Sequence, residues 1–220
     1  MVWDYAHFQE RLASGNTIWR LWGRKLSPDD RLRIAHELRH EEKPERIAAC
    51  LSIFTTAKYP LEIEDLLKYA AGVTSHDEKS QAEATEALKF FQDDRVRELV
   101  LRNLQAKIHV LESVEALAEN FREEDCGLLE IMLSQMTDKD AFHSAGLSLV
   151  PIFEKNPSPK ALDFLSNIYK HGYCSQCRRY AIASMITNRL LPDWIAQEAV
   201  WDCDADTRTA VREYLARSKK

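Results

Sequence analysis

The sequence predicts an all-α protein, a right-handed α-α superhelix (solenoid) of stacked helix pairs. Two observations carry that expectation. Glycine and proline are sparse, at 6 and 7 of 220 residues, too few for the turns that many short strands demand. From Tyr59-Pro60 onward, helix starts recur near Leu61, Asp94, Asp125, Pro159 and Pro192, at intervals of 31–34 residues. Each start is followed by a second helical stretch, near 77–91, 110–121, 139–154, 174–189 and 205–216. A lone pair of this length cannot bury its apolar face, whereas pairs stacked side by side share a continuous core.

The elements follow in order. Val2, Tyr5, Phe8 and Leu12 fall at helical spacing, and Ser14-Gly15-Asn16 ends that helix. A shorter piece over 17–26 carries Ile18, Leu21 and Trp22. Ser27-Pro28-Asp29-Asp30 is a helix start: a capping hydroxyl, a proline at the first helical position, and acids at the positive end of the dipole. That helix runs to about Arg39, and Lys43-Pro44-Glu45 opens the next, ending near Lys58. Residues 1–58 thus read as a helical cap with irregular first repeats, and 59–220 as about five regular pairs continuous with it. The second helices end alike, in small and apolar runs such as Glu86–Phe91, Glu115–Phe121 and Leu147–Phe153, followed by acids or proline. Pro151, inside one of them, is expected to kink it. The polar tail Arg217–Lys220 suits the last repeat of an array.

These pairs resemble HEAT or armadillo-type repeats over roughly residues 27–217, and Asp206–Arg212 is similar to the opening of a HEAT second helix. The units are shorter than the usual 40–47 residues and look more like the short HEAT-like units of bacterial proteins. A tetratricopeptide reading lacks its Trp-Leu-Gly-Tyr pattern, and ankyrin lacks Thr-Pro-Leu-His. The resemblance implies a fold and says little about activity.

Composition narrows the function classes. A hydrophobic fraction of 45% with 30% charge marks a folded chain. No apolar run approaches the ~20 residues of a membrane span, and the N-terminus lacks a signal-peptide core, so a cytoplasmic protein without membrane contact is expected. Five scattered cysteines fit reduced thiols. Residues 61–158 carry 20 acidic and 10 basic side chains. That segment repels a phosphate backbone and argues against nucleic acid along the whole chain.

The leading functional expectation is a non-catalytic, monomeric scaffold that binds another protein. The acidic middle, including Glu83, Glu86, Glu115 and Glu119 beside Glu62, Glu64 and Asp65, is suited to a basic segment of the partner, with Arg178 and Arg179 as further contacts. The alternative is a nucleic-acid-acting protein. The repeats are similar to those of alkylpurine DNA glycosylases of the HEAT-like type, and Arg178, Arg179, Arg189, Arg208 and Arg212 supply local positive charge.

Cys174 and Cys177 form the only CxxC, at a helix opening where the dipole and two arginines favour thiolate. Three readings apply. A redox pair lacks the βαβ context it needs. A zinc site would take His171, Cys174, Cys177 and Cys203, which the repeat topology places on one edge of the array, but a second CxxC is missing. The reading favoured is packing, with the thiols filling gaps between helices, Gly172 ending one helix and Ser175 capping the next. No other cofactor is implied.

Other motifs are weaker. His36-Glu37-Leu38-Arg39-His40 matches the letters of a zincin helix without an evident third ligand. Asp202, Asp204, Asp206 and Glu213 mimic calcium-loop spacing, but Thr207 stands where glycine is needed. The N-terminal aromatics Trp3, Tyr5, Phe8, Trp19 and Trp22 are expected to pack the cap rather than meet a partner, and Trp194 and Trp201 to face the core.

Overall fold

The computed structural model describes residues 3–15, 20–74 and 77–218. Among these the chain is all-helical, without strands. It divides into two compact units, Met1–Asn120 and Phe121–Lys220.

The first unit holds α1 (Tyr5–Ala13), the single turn α2 (Trp22–Lys25), α3 (Pro28–Leu38), α4 (Pro44–Phe54), α5 (Ile63–Ala70), α6 (Glu78–Ala87), α7 (Asp94–Ala106) and α8 (Val110–Asn120). A 3-10 turn over Leu88–Phe90 extends α6. Neighbours pack as α3 on α4, α5 on α6 and α7 on α8, and the second helix of each pair packs on the next, α4 on α6 and α6 on α8. Ile34, Leu38, Leu51, Phe54 and Leu66 are fully enclosed between these layers, each contributing about 2 kcal/mol of transfer free energy. At the N-terminal end Trp22 is the pivot. Its ring meets Trp3 edge-on at 4.7 Å, stacks on His7 at 5.4 Å and meets Phe8 at 6.1 Å. These aromatics therefore pack the first helices, as their spacing suggests. Trp19 and Ile18 of the expected 17–26 helix lie outside the described residues.

The second unit holds α9 (Cys126–Ser134), α10 (Lys139–Lys155), α11 (Ala161–His171), α12 (Ser175–Thr187), α13 (Asp193–Ala199) and α14 (Ala205–Ser218), with a 3-10 turn at Glu123–Asp125. The pairing logic repeats: α11 packs on α12, α13 on α14, and α12 lies between α10 and α14. Leu129, Phe153, Phe164, Ile168, Ile182 and Met185 form its centre. α10 runs through Pro151, whose ring has no N–H for the Leu147 carbonyl one turn back.

Starts and stops have local causes. Asp4, Ser27, Asp77 and Asp138 each accept a hydrogen bond from the backbone N–H three residues on, and Asp93 from Arg95. Two helices end without the glycine usual at such a position. Lys107 after α7 and Arg189 after α12 both adopt φ 58°. Around each runs the same pair of bonds, Ile108 N–H to Asn103 C=O with Lys107 to Leu104, and Leu190 N–H to Met185 C=O with Arg189 to Ile186. This is the Schellman closure, built on a side-chain-bearing residue.

Candidate metal centre and exposed aromatic groove

Gly172 ends α11 as expected, with an ordinary φ of −65° and its N–H on the Ile168 carbonyl, so no left-handed conformation is needed there. The glycine is needed for space: a Cβ there would stand 2.6 Å from the Ile168 carbonyl oxygen and 2.8 Å from Cys177 Cβ. The bare backbone lets the turn lie against α12. The cap of α12 is not Ser175 but Cys174, whose Sγ accepts from the Cys177 N–H at 3.2 Å. One helical turn thus brings both sulfurs to the same end of α12.

The third member comes from another helix. His143 on α10 points Nδ1 at both sulfurs, 2.9 Å from Cys177 Sγ and 3.2 Å from Cys174 Sγ, and the sulfurs are 3.3 Å apart. Among the described residues, His143, Cys174 and Cys177 are the cluster whose ligand atoms all lie within 4.8 Å of one another, close enough to hold a metal ion. All five cysteines are free thiols. Tyr173 covers the group from outside: its ring lies 5.7 Å from that of His143 and its hydroxyl donates to Asp140 at 2.7 Å.

The predicted ligand set is therefore half reproduced. His171 is at the exposed end of α11 and belongs to a separate cavity of about 360 Å³ with Phe142, Asn167 and Tyr173. Cys203 is exposed and accepts from the Arg178 guanidinium at 3.3 Å. Neither joins the cluster. The expectation of an activated thiolate also fails for Cys177, because burial and the neighbouring Cys174 push its thiol up to about 12 against a smaller pull from Arg178. Arg178 instead donates through Nε to Asp202 at 2.8 Å.

Of the acids expected to meet a partner, Glu62, Glu64 and Glu115 are exposed, Asp65 and Glu119 half-buried, and two are internal. Glu83 and Glu86 are buried in α6, with Arg20 Nη1 2.7 Å from Glu86 and Nη2 3.3 Å from Glu83. Burial raises the Glu83 carboxyl above its usual range, and Arg20 offsets this only partly. Lys89 bridges Glu86 at 3.1 Å and Glu115 at 2.7 Å, and Glu119 is also engaged. Alternation of charge along a helix did not reveal this, because Arg20 reaches them from more than sixty residues away.

Arg178, Arg179 and Arg208 are committed in the same way, whereas Arg189 and Arg212 are exposed. Arg179 pairs with Asp206 at 3.1 Å, and Arg208 donates to the carbonyls of Asp202 and Cys203. The calcium-like carboxylates are thus spoken for by arginines. Asp204 accepts from the Thr207 N–H and hydroxyl and caps the last helix. The zincin spacing fails because α3 ends at Leu38, which leaves His40 in the following turn, and Glu37 is tied to the Tyr5 hydroxyl and to Gln9.

The largest departure from expectation concerns two tryptophans. Trp194 is 46% and Trp201 83% exposed. Trp201 falls beyond the end of α13, so seven-residue spacing no longer puts it on the core face. The two rings border an open groove of about 510 Å³ with Tyr169, Lys170, Arg178 and Glu198. The Lys170 ammonium lies 5.1 Å from the Trp194 ring centre. No helix among the described residues is long and apolar enough to cross a membrane. No family model, curated protein or solved structure matches the chain.

Proposed function

We propose that the protein is a non-catalytic helical-repeat module, of the HEAT-like stacked-pair kind, that binds another protein at the Trp194–Trp201 groove. The observation that supports this reading is the 83% exposure of Trp201. A tryptophan side chain left in water forgoes about 2–3 kcal/mol of burial, and tryptophan is the residue most enriched among those that dominate binding energies. The groove beside it is lined by Tyr169 and Trp194 together with Lys170, Arg178 and Glu198, which offers a partner both aromatic and charged contacts.

The recognition proposed is a short partner segment whose apolar side chain stacks on Trp201, with flanking charges read by Lys170 and Glu198. This replaces the acidic surface of α6 and α8 as the docking site, since Glu83 and Glu86 already neutralise Arg20 inside the first unit. Recognition of a phosphate backbone draws no support from Arg178, Arg179 and Arg208, whose charges are satisfied internally.

The test is site-specific photo-crosslinking in cells with the crosslinker in place of Cys203, an exposed residue of the groove wall. A discrete protein adduct that disappears in Trp201→Ala, with a folded variant by circular dichroism, supports the reading. An adduct of unchanged yield in Trp201→Ala, or none at all, overturns it.

A further inference from the structure

We propose that His143, Cys174 and Cys177 form a zinc site that fastens α10 to the opening of α12, independently of the docking groove. Three features of the cluster carry the inference. The first is donor chemistry. Two sulfurs and an imidazole nitrogen, with no carboxylate among them, match the preference of Zn²⁺ for thiolate and imidazole and not that of Mg²⁺ or Ca²⁺ for oxygen.

The second is convergence. His143 is 31 and 34 residues from the two cysteines and arrives on a different helix, yet its Nδ1 faces both sulfurs at 2.9–3.2 Å. Packing alone requires only that these side chains fill space. It does not require three ligand atoms to share one point. Around a tetrahedral zinc, with bonds of about 2.3 Å to sulfur and 2.0–2.1 Å to nitrogen, such atoms stand roughly 3.5–3.8 Å apart. The cluster at 2.9–3.3 Å needs to open by about half an ångström. Cys174 and His143 are only half-buried, which gives them room to move and gives the ion a way in.

The third is the setting of the sulfurs. Cys174 caps a 13-residue helix and its Sγ accepts the Cys177 N–H, which fixes the two sulfurs side by side at the helix opening, 3.3 Å apart. Arg178, next to Cys177 in sequence, donates through Nε to Asp202 at 2.8 Å. On binding, both thiols release their protons to solvent, and the two thiolates and the neutral imidazole displace all but one of the waters of the hydrated ion as it becomes tetrahedral. A water molecule keeps the fourth position.

The full chain, expressed with zinc in the medium and desalted, is assayed for metal content by mass spectrometry and for free thiols. Cobalt is then substituted and its thiolate charge-transfer absorption recorded. About one zinc per chain is expected in the wild type, in His171→Ala and in Cys203→Ser, and none in His143→Ala or Cys174→Ser. The cobalt band on the wild type keeps the test open if a variant fails to fold. A wild type without zinc and without the cobalt band overturns the proposal. So does a Cys174–Cys177 disulfide in the fresh protein, retention of zinc by folded His143→Ala, or its loss from folded His171→Ala.

Discussion

Asn188 donates through Nδ2 to the Phe153 carbonyl at 3.1 Å, joining the end of α12 to the preceding second helix. The same amide also donates to the Ser184 carbonyl of its own helix at 2.8 Å. In the first unit Asn120 does the same, donating to Phe91 C=O at 2.9 Å and Ala116 C=O at 3.0 Å. Each asparagine thereby ties the last turn of its own helix to the chain leaving the previous second helix.

Asn188→Ala removes both side-chain bonds and leaves the Phe153 carbonyl without its donor at a packed helix end, while the Ser184 carbonyl keeps the backbone N–H of residue 188. The expected loss is about 1–2 kcal/mol, read as a lower urea midpoint at unchanged slope. Asn120→Ala is expected to cost more, since Asn120 Oδ1 also accepts the Asp93 N–H at 2.8 Å, a bond that Asn188 Oδ1 lacks.

Arg189→Gly is expected to stabilise. Arg189 holds φ 58°, where a Cβ is penalised and glycine is not. After the entropy that glycine adds to the unfolded chain, a gain of about 0.5–1 kcal/mol remains. Calorimetry of the paired variants Arg189→Gly and Arg189→Ala, with only the former raised in Tm, checks it.

Arg20→Ala is expected to destabilise by about 1–2 kcal/mol at neutral pH, less than a fully buried pair would cost because Arg20 is itself half-exposed. The pH dependence has a definite sign. Burial raises the Glu83 carboxyl in the folded state, so its contribution to stability is fully present below the unfolded value near about 4.3 and is lost as pH rises through the folded value. Without Arg20 the folded value climbs further. Denaturation curves at pH 4 and pH 7 are therefore expected to show the larger difference between variant and wild type at pH 7.

Gly172→Ala is expected to destabilise by about 2–3 kcal/mol, because the added methyl meets the Ile168 carbonyl and Cys177 Cβ, both part of packed helices. The change is read by thermal unfolding. Gly127→Ala, where nothing lies within 4 Å and the residue is helical, serves as the opposite control and is expected to be neutral or stabilising by up to about 1 kcal/mol.

The helices were largely legible because their signals are local. Ser27-Pro28-Asp29-Asp30, Asp77, Asp93 and Asp138 announce starts that the structure places within a residue or two. The second-helix positions near 110, 139 and 205 agree with α8, α10 and α14. What was not legible depended on partners distant in sequence. The CxxC was visible, but its imidazole was not: His143 sits mid-helix with no motif around it, and its role arises from how α10 packs on α12. The acids of α6 looked solvated until Arg20 was placed beside them. Trp201 kept the helical register in sequence while the helix stopped two residues earlier.

The distribution of tryptophan has an optical consequence. The chain has 5 tryptophans, at positions 3, 19, 22, 194 and 201, and none between 23 and 193. Trp22 is sealed among rings whereas Trp201 stands in water, so blue-shifted emission reports the first helices and red-shifted emission the last. Everything from α3 to α12 is dark at these wavelengths. Far-ultraviolet ellipticity, by contrast, weights all the helices. Fluorescence and ellipticity melts that superimpose indicate a single cooperative transition, and melts that separate reveal the two units opening one after the other.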